Sequence, residues 1–160
     1  MRSLSSIFLI CAGLLTVISC SEDFTPTPFT FTKLFTGENN KTWTIDLIEI
    51  TLNGTVVDRF AEDCLKDDRF IFHANDEHSY EAHSGRSKCF QVEPEPDFVL
   101  DTWSYASASA TLTFVIPRVS DIGLPYFVRE VDEDDMIVEF FFDQANTESA
   151  RIHFEAIDEE

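Results

Sequence analysis

The stretch WTIDLIEITLNGTVV, residues 43–57, decides the fold class. Its apolar side chains at Trp43, Ile45 and Leu47 alternate with polar ones. A period of two residues places successive side chains on opposite faces and therefore predicts a half-buried β-strand. Asn53-Gly54 is the strongest short signal for the two-residue type I′ turn of a hairpin. The stretch thus predicts a strand, a tight turn and a returning segment.

The same period recurs along the rest of the chain. Further short runs lie, in chain order, at Phe70 and Phe72, at Tyr80 and Ala82, at Trp103 and Tyr105, and at residues 112–116, 126–131, 136–142 and 152–154. Eight short strands at this spacing are typical of an all-β barrel or sandwich, and tight turns favour an up-and-down order. Closure into a barrel removes exposed edges. We therefore predict an eight-stranded antiparallel up-and-down barrel, with one helical turn within residues 59–68.

The composition excludes several classes of function. The 160 residues include 11 Lys+Arg and 30 Asp+Glu, a formal net charge of −19. A chain of this length forms one domain with at most a short appendage. Its negative charge repels phosphate backbones, which excludes nucleic-acid binding. The 44% hydrophobic content, with 16 Phe, indicates a real core and argues against disorder.

The first twenty residues predict export and a lipid anchor. A basic start, Met1-Arg2-Ser3, precedes an apolar segment at residues 4–18, which has the length of a signal-peptide core and is shorter than a membrane span. Val17-Ile18-Ser19-Cys20 resembles the bacterial lipobox, which implies removal of residues 1–19 and lipidation of Cys20. The alternative is an ordinary secretory peptide in which Cys20 is incidental.

The residues after Cys20 predict where the anchor is placed. Ser21-Glu22-Asp23 resembles the signal with which Bacteroidota export lipoproteins to the cell surface, and a solvated acidic tether is the alternative. The resemblance implies a protein anchored to the bacterial outer membrane and facing the cell exterior. Residues 20–40 are interpreted as the lipidated N-terminus and tether, which precede a barrel domain at residues 41–160. Apolar residues such as Phe31 and Phe35 predict that the second half of the tether docks on the domain.

Two cysteines remain for a structural bond. With Cys20 lipidated, the mature chain retains Cys64 and Cys89 in an oxidising compartment, so we predict a disulfide between them. Closing a loop of about 25 residues would contribute on the order of 3 kcal/mol. Two free thiols or half of a metal site are the alternatives.

An ordered set of motifs resembles the lipocalin-like domain of Bacteroidota lipoproteins. The motifs are Lys41-Thr42-Trp43, Asn53-Gly54, Cys64-Leu65-Lys66-Asp67-Asp68-Arg69-Phe70-Ile71-Phe72, Tyr80, Lys88-Cys89, Thr102-Trp103-Ser104 and Leu112-Thr113-Phe114. The match covers about residues 40–157 and departs at 75–77 and 101–103, where a turn glycine is missing. The resemblance implies a small eight-stranded barrel with no established catalysis and no assigned ligand.

No catalytic or metal-binding constellation stands out. Of His73, His78 and His83, only His73 and His78 could face one another, and two ligands without a third do not make a zinc site. All three are interpreted as solvated histidines at strand ends. The acidic segment 132–135 lacks the oxygen spacing and the glycine of a calcium loop. Asp67 and Asp68 are interpreted as residues that cap or pin the loop before the second predicted strand. We therefore predict a protein that is not an enzyme and has no cofactor or metal.

Aromatic residues are the candidate ligand-binding set. The residues proposed to line the interior are Trp43, Phe72, Tyr80, Trp103, Phe114 and Phe140. An eight-stranded barrel has room inside for side chains and at most one small ligand, so these rings either line a cup or fill the core. The leading hypothesis is a lipoprotein that binds an unknown small apolar ligand. The alternative is an accessory or adhesion module with a packed barrel that binds a protein or glycan through its outer face.

Overall fold

A computed structural model describes residues 28–88 and 98–157. The signal peptide, Cys20, the acidic residues after it and Cys89 lie outside these ranges. Lipidation, surface export and the disulfide therefore stay predictions.

The described residues form two helices and ten strands. In chain order these are α1 (Pro28–Thr36), β1 (Asn40–Leu52), β2 (Thr55–Phe60), α2 (Asp63–Lys66), β3 (Arg69–His73), β4 (Ser79–His83), β5 (Phe98–Thr102), β6 (Ser104–Ala106), β7 (Thr111–Phe114), β8 (Leu124–Val131), β9 (Asp135–Phe141) and β10 (Glu148–Ile157). The predicted helical turn within residues 59–68 is α2.

Nine of the strands form one antiparallel sheet that nearly closes into a barrel. From β3 to β5 and from β6 to β10, each strand pairs with the next along the chain, and β10 pairs with β1. The two ends of the sheet, β5 and β6, are separated in sequence by Trp103 alone. The all-β class and the antiparallel barrel are therefore confirmed.

The strand count differs from the predicted eight. The segment after the Asn53-Gly54 turn, left uncounted in the prediction, forms β2 and pairs with β1 beside the main path. The run around Trp103 is broken into β5 and β6. The period of two reveals neither the extra pairing of β2 with β1 nor the break at Trp103.

The first hairpin shows how the sequence builds the sheet. Asn53 and Gly54 have φ angles of 51° and 74°, the left-handed values that both central positions of a type I′ turn require. A register shift between Ile45 and Leu47 interrupts the alternation of β1. Beyond this bulge it is Ile48, not Leu47, that packs against the core. The predicted placement of Leu47 on the face of Trp43 is therefore wrong.

Helix α1 covers one end of the barrel. Phe35 is fully buried, and its carbonyl oxygen accepts a hydrogen bond of 2.9 Å from the Trp43 indole Nε1. Phe31 stacks on Tyr105 with ring centroids 5.1 Å apart. The second half of the predicted tether thus docks on the domain, as its apolar residues indicated, and it does so as a helix.

Candidate functional site

Most of the rings predicted to bind a ligand are packed against one another. Trp43, Phe72, Tyr80 and Phe114 are fully buried, and Trp103 is 3% exposed. The centroid of Phe72 lies 4.9 Å from that of Tyr80, 5.2 Å from that of Phe114 and 6.1 Å from that of Trp103. These separations are those of favourable aromatic pairs. The rings therefore occupy this part of the barrel interior themselves.

Phe140 lies apart from this cluster. It is half-buried, with ring centroids 5.9 Å from Tyr126 and 5.7 Å from Phe142. Phe142 is 51% exposed. The sixth predicted ligand residue thus sits near an apolar surface at the edge of the core.

Two tyrosine hydroxyls lie inside the barrel. The Tyr80 hydroxyl donates a 2.6 Å hydrogen bond to the Val115 carbonyl oxygen. The Tyr126 hydroxyl is buried and has no hydrogen-bond partner within the described part of the chain. Burial raises the pKa of both phenols, so both are neutral across the physiological pH range.

A cleft of the described surface lies outside the barrel. It has a volume of about 450 Å³ and opens between the C-terminal half of α1, the turn from β3 to β4, and Trp103. Its walls are formed by Thr32, Lys33, Thr36, Gly37, Glu38, Ala74, Asn75, Asp76, His78 and Trp103. Its volume falls within the range of small-molecule sites.

His78 is the strained residue of this cleft. Its φ of 52° is left-handed, which is uncommon for a residue other than glycine. Hydrogen bonds hold the turn, since the His78 N–H donates to the Asn75 carbonyl and the Trp103 N–H donates to the His78 carbonyl. The imidazole lies 4.6 Å from the Trp103 ring. Strained backbone held by such a network is often found at binding sites.

The remaining walls of the cleft are polar and of mixed charge. Lys33 Nζ lies 2.7 Å from Glu38 Oε1, and both side chains are exposed. The Asn75 side chain bonds to both the hydroxyl and the backbone N–H of Ser79, each at 2.9 Å. The cleft therefore presents both donors and acceptors next to the edge of an aromatic pair.

The other two candidate histidines, His73 and His83, share one carboxylate. His73 Nε2 lies 2.8 Å from Glu81 Oε1, and His83 Nε2 lies 3.1 Å from Glu81 Oε2. The hydrogen bond with His83, aided by His73, lowers the pKa of Glu81. His73 and His83 stand at strand ends and are partly exposed, as predicted, but both also pair with a carboxylate. Within residues 28–88 and 98–157, no group of three or more His, Cys, Asp or Glu is arranged to hold a metal.

The acidic pairs singled out in the sequence fix loops. Asp132 Oδ1 accepts the N–H groups of Asp134 and Asp135 at 2.9 and 2.8 Å, which lowers its pKa. Asp68 accepts the Gly85 N–H at 2.8 Å and pairs with Arg118 Nε at 2.7 Å. These carboxylates stabilise turns through the hydrogen bonds and the ion pair that they make.

Asp67 extends this pinning to the segment that leads toward Cys89. Its Oδ2 accepts the Ser87 N–H at 2.8 Å. The prediction placed the role of Asp67 and Asp68 in the loop before β3, whereas the hydrogen bonds of both residues hold the segment that follows β4.

Sequence reasoning missed a row of charged residues on the outer face of the sheet. Glu49 pairs with Arg59 at 2.8 Å, and Glu139 pairs with Arg129 at 2.6 Å. The alternation along each strand places these residues on the outer face of the sheet, but the two members of each pair lie on different strands. The pairing could be found only with the strand register in hand.

Comparison of the chain with protein-family models, curated proteins and solved structures finds no match. None of the described helices combines the length and apolar character needed to cross a membrane.

Proposed function

We propose that the protein is a non-enzymatic, lipid-anchored binding module that takes a small polar ligand of the saccharide class in the cleft beside α1. The lipobox-like and acidic motifs at residues 17–23 support an anchor on Cys20 at the outer membrane, facing the cell exterior. The lipocalin-like resemblance supports a binding role without catalysis.

One observation carries the choice of site. The candidate rings of the interior contact one another, whereas a cleft of about 450 Å³ lies outside the barrel. Ligand sites are concave and combine apolar surface with a few placed polar groups. The cleft meets this description, since the His78–Trp103 pair supplies an apolar wall and Lys33, Glu38 and Asn75 supply polar groups.

The chemistry of the walls favours a neutral ligand rich in hydroxyl groups. Lys33 and Glu38 neutralise each other, so this part of the rim has no strong preference for either sign of charge. Hydroxyl groups donate and accept, which matches a surface that offers both functions. The apolar face of a sugar ring would lie on the exposed His78 ring, which packs against the nearly buried Trp103.

Titration followed by ¹H–¹⁵N NMR tests this site. The probes are a panel of common mono- and disaccharides. Binding should shift the amide signals of Gly37, Ala74 and Asp76 and the indole signal of Trp103. His78→Ala should weaken the affinity, because it removes the ring that packs on Trp103.

His153→Ala is the matched control, since it removes an outer-face histidine from β10 and should leave the affinity unchanged. A panel that shifts no signal of the cleft would overturn the saccharide proposal. An affinity that His78→Ala and His153→Ala change equally would also overturn it.

The anchor is tested separately. Cys20→Ala removes the residue that the lipobox-like motif predicts to be lipidated. The variant should therefore be absent from the membrane fraction. If the variant fractionates with membranes and has the mature mass of the wild type, the lipoprotein proposal fails.

A second candidate function rests on the surface around Phe140. Phe142 is 51% exposed and its ring centroid lies 5.7 Å from that of the half-buried Phe140, which provides apolar surface at the edge of the core. This surface favours the small apolar ligand of a lipocalin-like protein. In the same titration, medium-chain fatty acids that shift Phe140 and Phe142 but no signal of the cleft would favour this candidate over the saccharide site.

A further inference from the structure

A charged row crosses five neighbouring strands on the outer face of the sheet. The register places Arg59 opposite Glu49, Glu49 opposite Arg151, Arg151 opposite Glu139, and Glu139 opposite Phe127. Side chains directly opposite on one face interact. The row therefore alternates in sign until it ends at an aromatic ring.

Glu139 anchors the aromatic end of this row. It is 5% exposed, accepts a 2.7 Å hydrogen bond from the Ser149 hydroxyl and lies 2.6 Å from Arg129 Nε. Arg151 Nη2 lies 3.6 Å from its other oxygen. Burial alone would raise the pKa of Glu139, but these hydrogen bonds and charges outweigh burial and lower it. Glu139 is thus a fixed carboxylate that orients two guanidinium groups.

Arg129 is held in one orientation. It stands at a β-bulge, where the register shifts between Val128 and Glu130, and bulges re-aim side chains. Its guanidinium carbon lies 5.7 Å from the ring centroids of both Phe127 and Phe141. Ring contacts and Glu139 together reduce the rotamer freedom that this side chain would lose on binding.

Both arginine side chains are partly exposed. The hydrogen bond from Arg129 to Glu139 is donated by its Nε, so the two Nη groups take no part in that bond. The Nε of Arg151 is buried and has no hydrogen-bond partner in the same part of the chain. About two fifths of each side chain is exposed, at 43% for Arg129 and 42% for Arg151. Two arginines therefore share one carboxylate, which leaves a local excess of positive charge on an acidic molecule.

We infer that Arg129 and Arg151, with Phe127 and Phe141, form a binding site for a carboxylate group carried on a small apolar or aromatic body. The planar fork of a guanidinium matches a carboxylate in geometry. Phe127 is 38% exposed and offers ring surface to the body of the ligand. The net charge of −19 opposes ligands with several negative charges, so a single carboxylate is the group that fits.

NMR titration at low salt with benzoate tests the site, and benzamide is the neutral probe of the same shape. Benzoate should shift the signals of Phe127, Arg129 and Phe141, whereas benzamide should not. Inorganic phosphate separates a carboxylate site from a general anion site. Equal shifts from phosphate and benzoate, or from benzamide and benzoate, would overturn the inference.

Variants test the residues. Arg129→Gln should weaken benzoate binding about tenfold or more, because it removes a charge-assisted pair. Arg59→Gln is the control, since Arg59 belongs to the same row but lies at its far end, and it should leave the affinity unchanged. Phe127→Ala leaves the Glu139 pairing intact and should also weaken binding, which keeps the test valid if Arg129→Gln misfolds. Unchanged affinity in Phe127→Ala, or equal effects of the two arginine variants, would refute the site.

Discussion

His78 occupies the position where a turn between two strands calls for a glycine. The turn between β3 and β4 has no glycine at residues 75–77, and the structure places its left-handed residue at His78, just beyond. A left-handed conformation costs a non-glycine residue about 1–2 kcal/mol. Retaining a bulky side chain there, against Trp103, is consistent with a binding role for the cleft.

His78→Ala and His78→Gly separate the backbone cost from the ring contact. Both variants lose the packing on Trp103, but only glycine relieves the strain of a φ of 52°. We expect the glycine variant to be more stable than the alanine variant by about 1 kcal/mol. Urea unfolding followed by tryptophan fluorescence measures the difference. Equal stabilities would mean that the turn relaxes and stores no strain.

Glu139 makes the stability depend on pH in a definite direction. Because its pKa in the folded protein lies below the usual value, the ionised group stabilises the folded state above the unfolded pKa of about 4.3. This contribution is lost as the pH falls through the folded pKa.

The wild type should therefore lose more stability than Glu139→Gln between about pH 5 and pH 3. Melting temperatures across this range check the prediction. Glu130→Gln, which alters an exposed carboxylate on β8, should retain the acid dependence of the wild type. If Glu139→Gln retains it as well, the network does not govern acid stability.

The sequence contains only weak indications that residues 28–36 form helix α1. Proline stands at its first position, Phe31 and Phe35 have helical spacing, and Gly37 has a φ of 61° and donates to the Lys33 carbonyl at 2.8 Å, as in a helix C-cap. The nearby prolines and threonines favoured a spacer interpretation instead. Short helices owe their stability to packing, so a nine-residue helix is hard to predict before its barrel is known.

The strands were easier to predict than their irregularities. Alternation around residues 43–45, 70–72 and 152–154 identified strands that the structure confirms. The last two have one buried face, whereas at 43–45 the outward-facing Thr44 is also buried and bonds to the carbonyl oxygens of α2. The bulges after Ile45 and Val128 depend on partner strands and leave no local pattern. For the same reason, the pairing of Glu81 with His73 and the Glu139 network could not be predicted from the sequence, since they join residues of different strands.

The predicted disulfide between Cys64 and Cys89 would join α2 to the chain that follows β4. Ser87 is tied to Asp67 by a 2.8 Å hydrogen bond, and Cys64 lies buried three residues before Asp67. This brings the chain leading to Cys89 close to α2. Thiol titration of the denatured, unreduced protein carrying Cys20→Ala should find no thiol at positions 64 and 89. Reactive thiols at those positions would rule out the bond.

At the scale of the whole molecule, the barrel is held by aromatic packing across the interior. Phe114 is fully buried, with ring centroids 4.8 Å from Tyr126, 5.2 Å from Phe72 and 5.5 Å from Tyr80. It thereby links β3, β4, β7 and β8. Such central packing compensates for the incomplete ladder between β5 and β6.

Phe114→Ala distinguishes a packed barrel from a cup. In a packed interior the change leaves a cavity among rings that cannot close around it, and it should cost about 3–5 kcal/mol. Phe140→Ala, at a half-buried position, should cost less than about 3 kcal/mol. Denaturant unfolding of the two variants measures both costs. If the barrel were instead a cup for an apolar ligand, Phe114 would line free space, and its loss would destabilise the protein no more than that of Phe140. If Phe114→Ala lowered the free energy of unfolding no more than Phe140→Ala, the result would favour a ligand site in the barrel interior over the cleft beside α1.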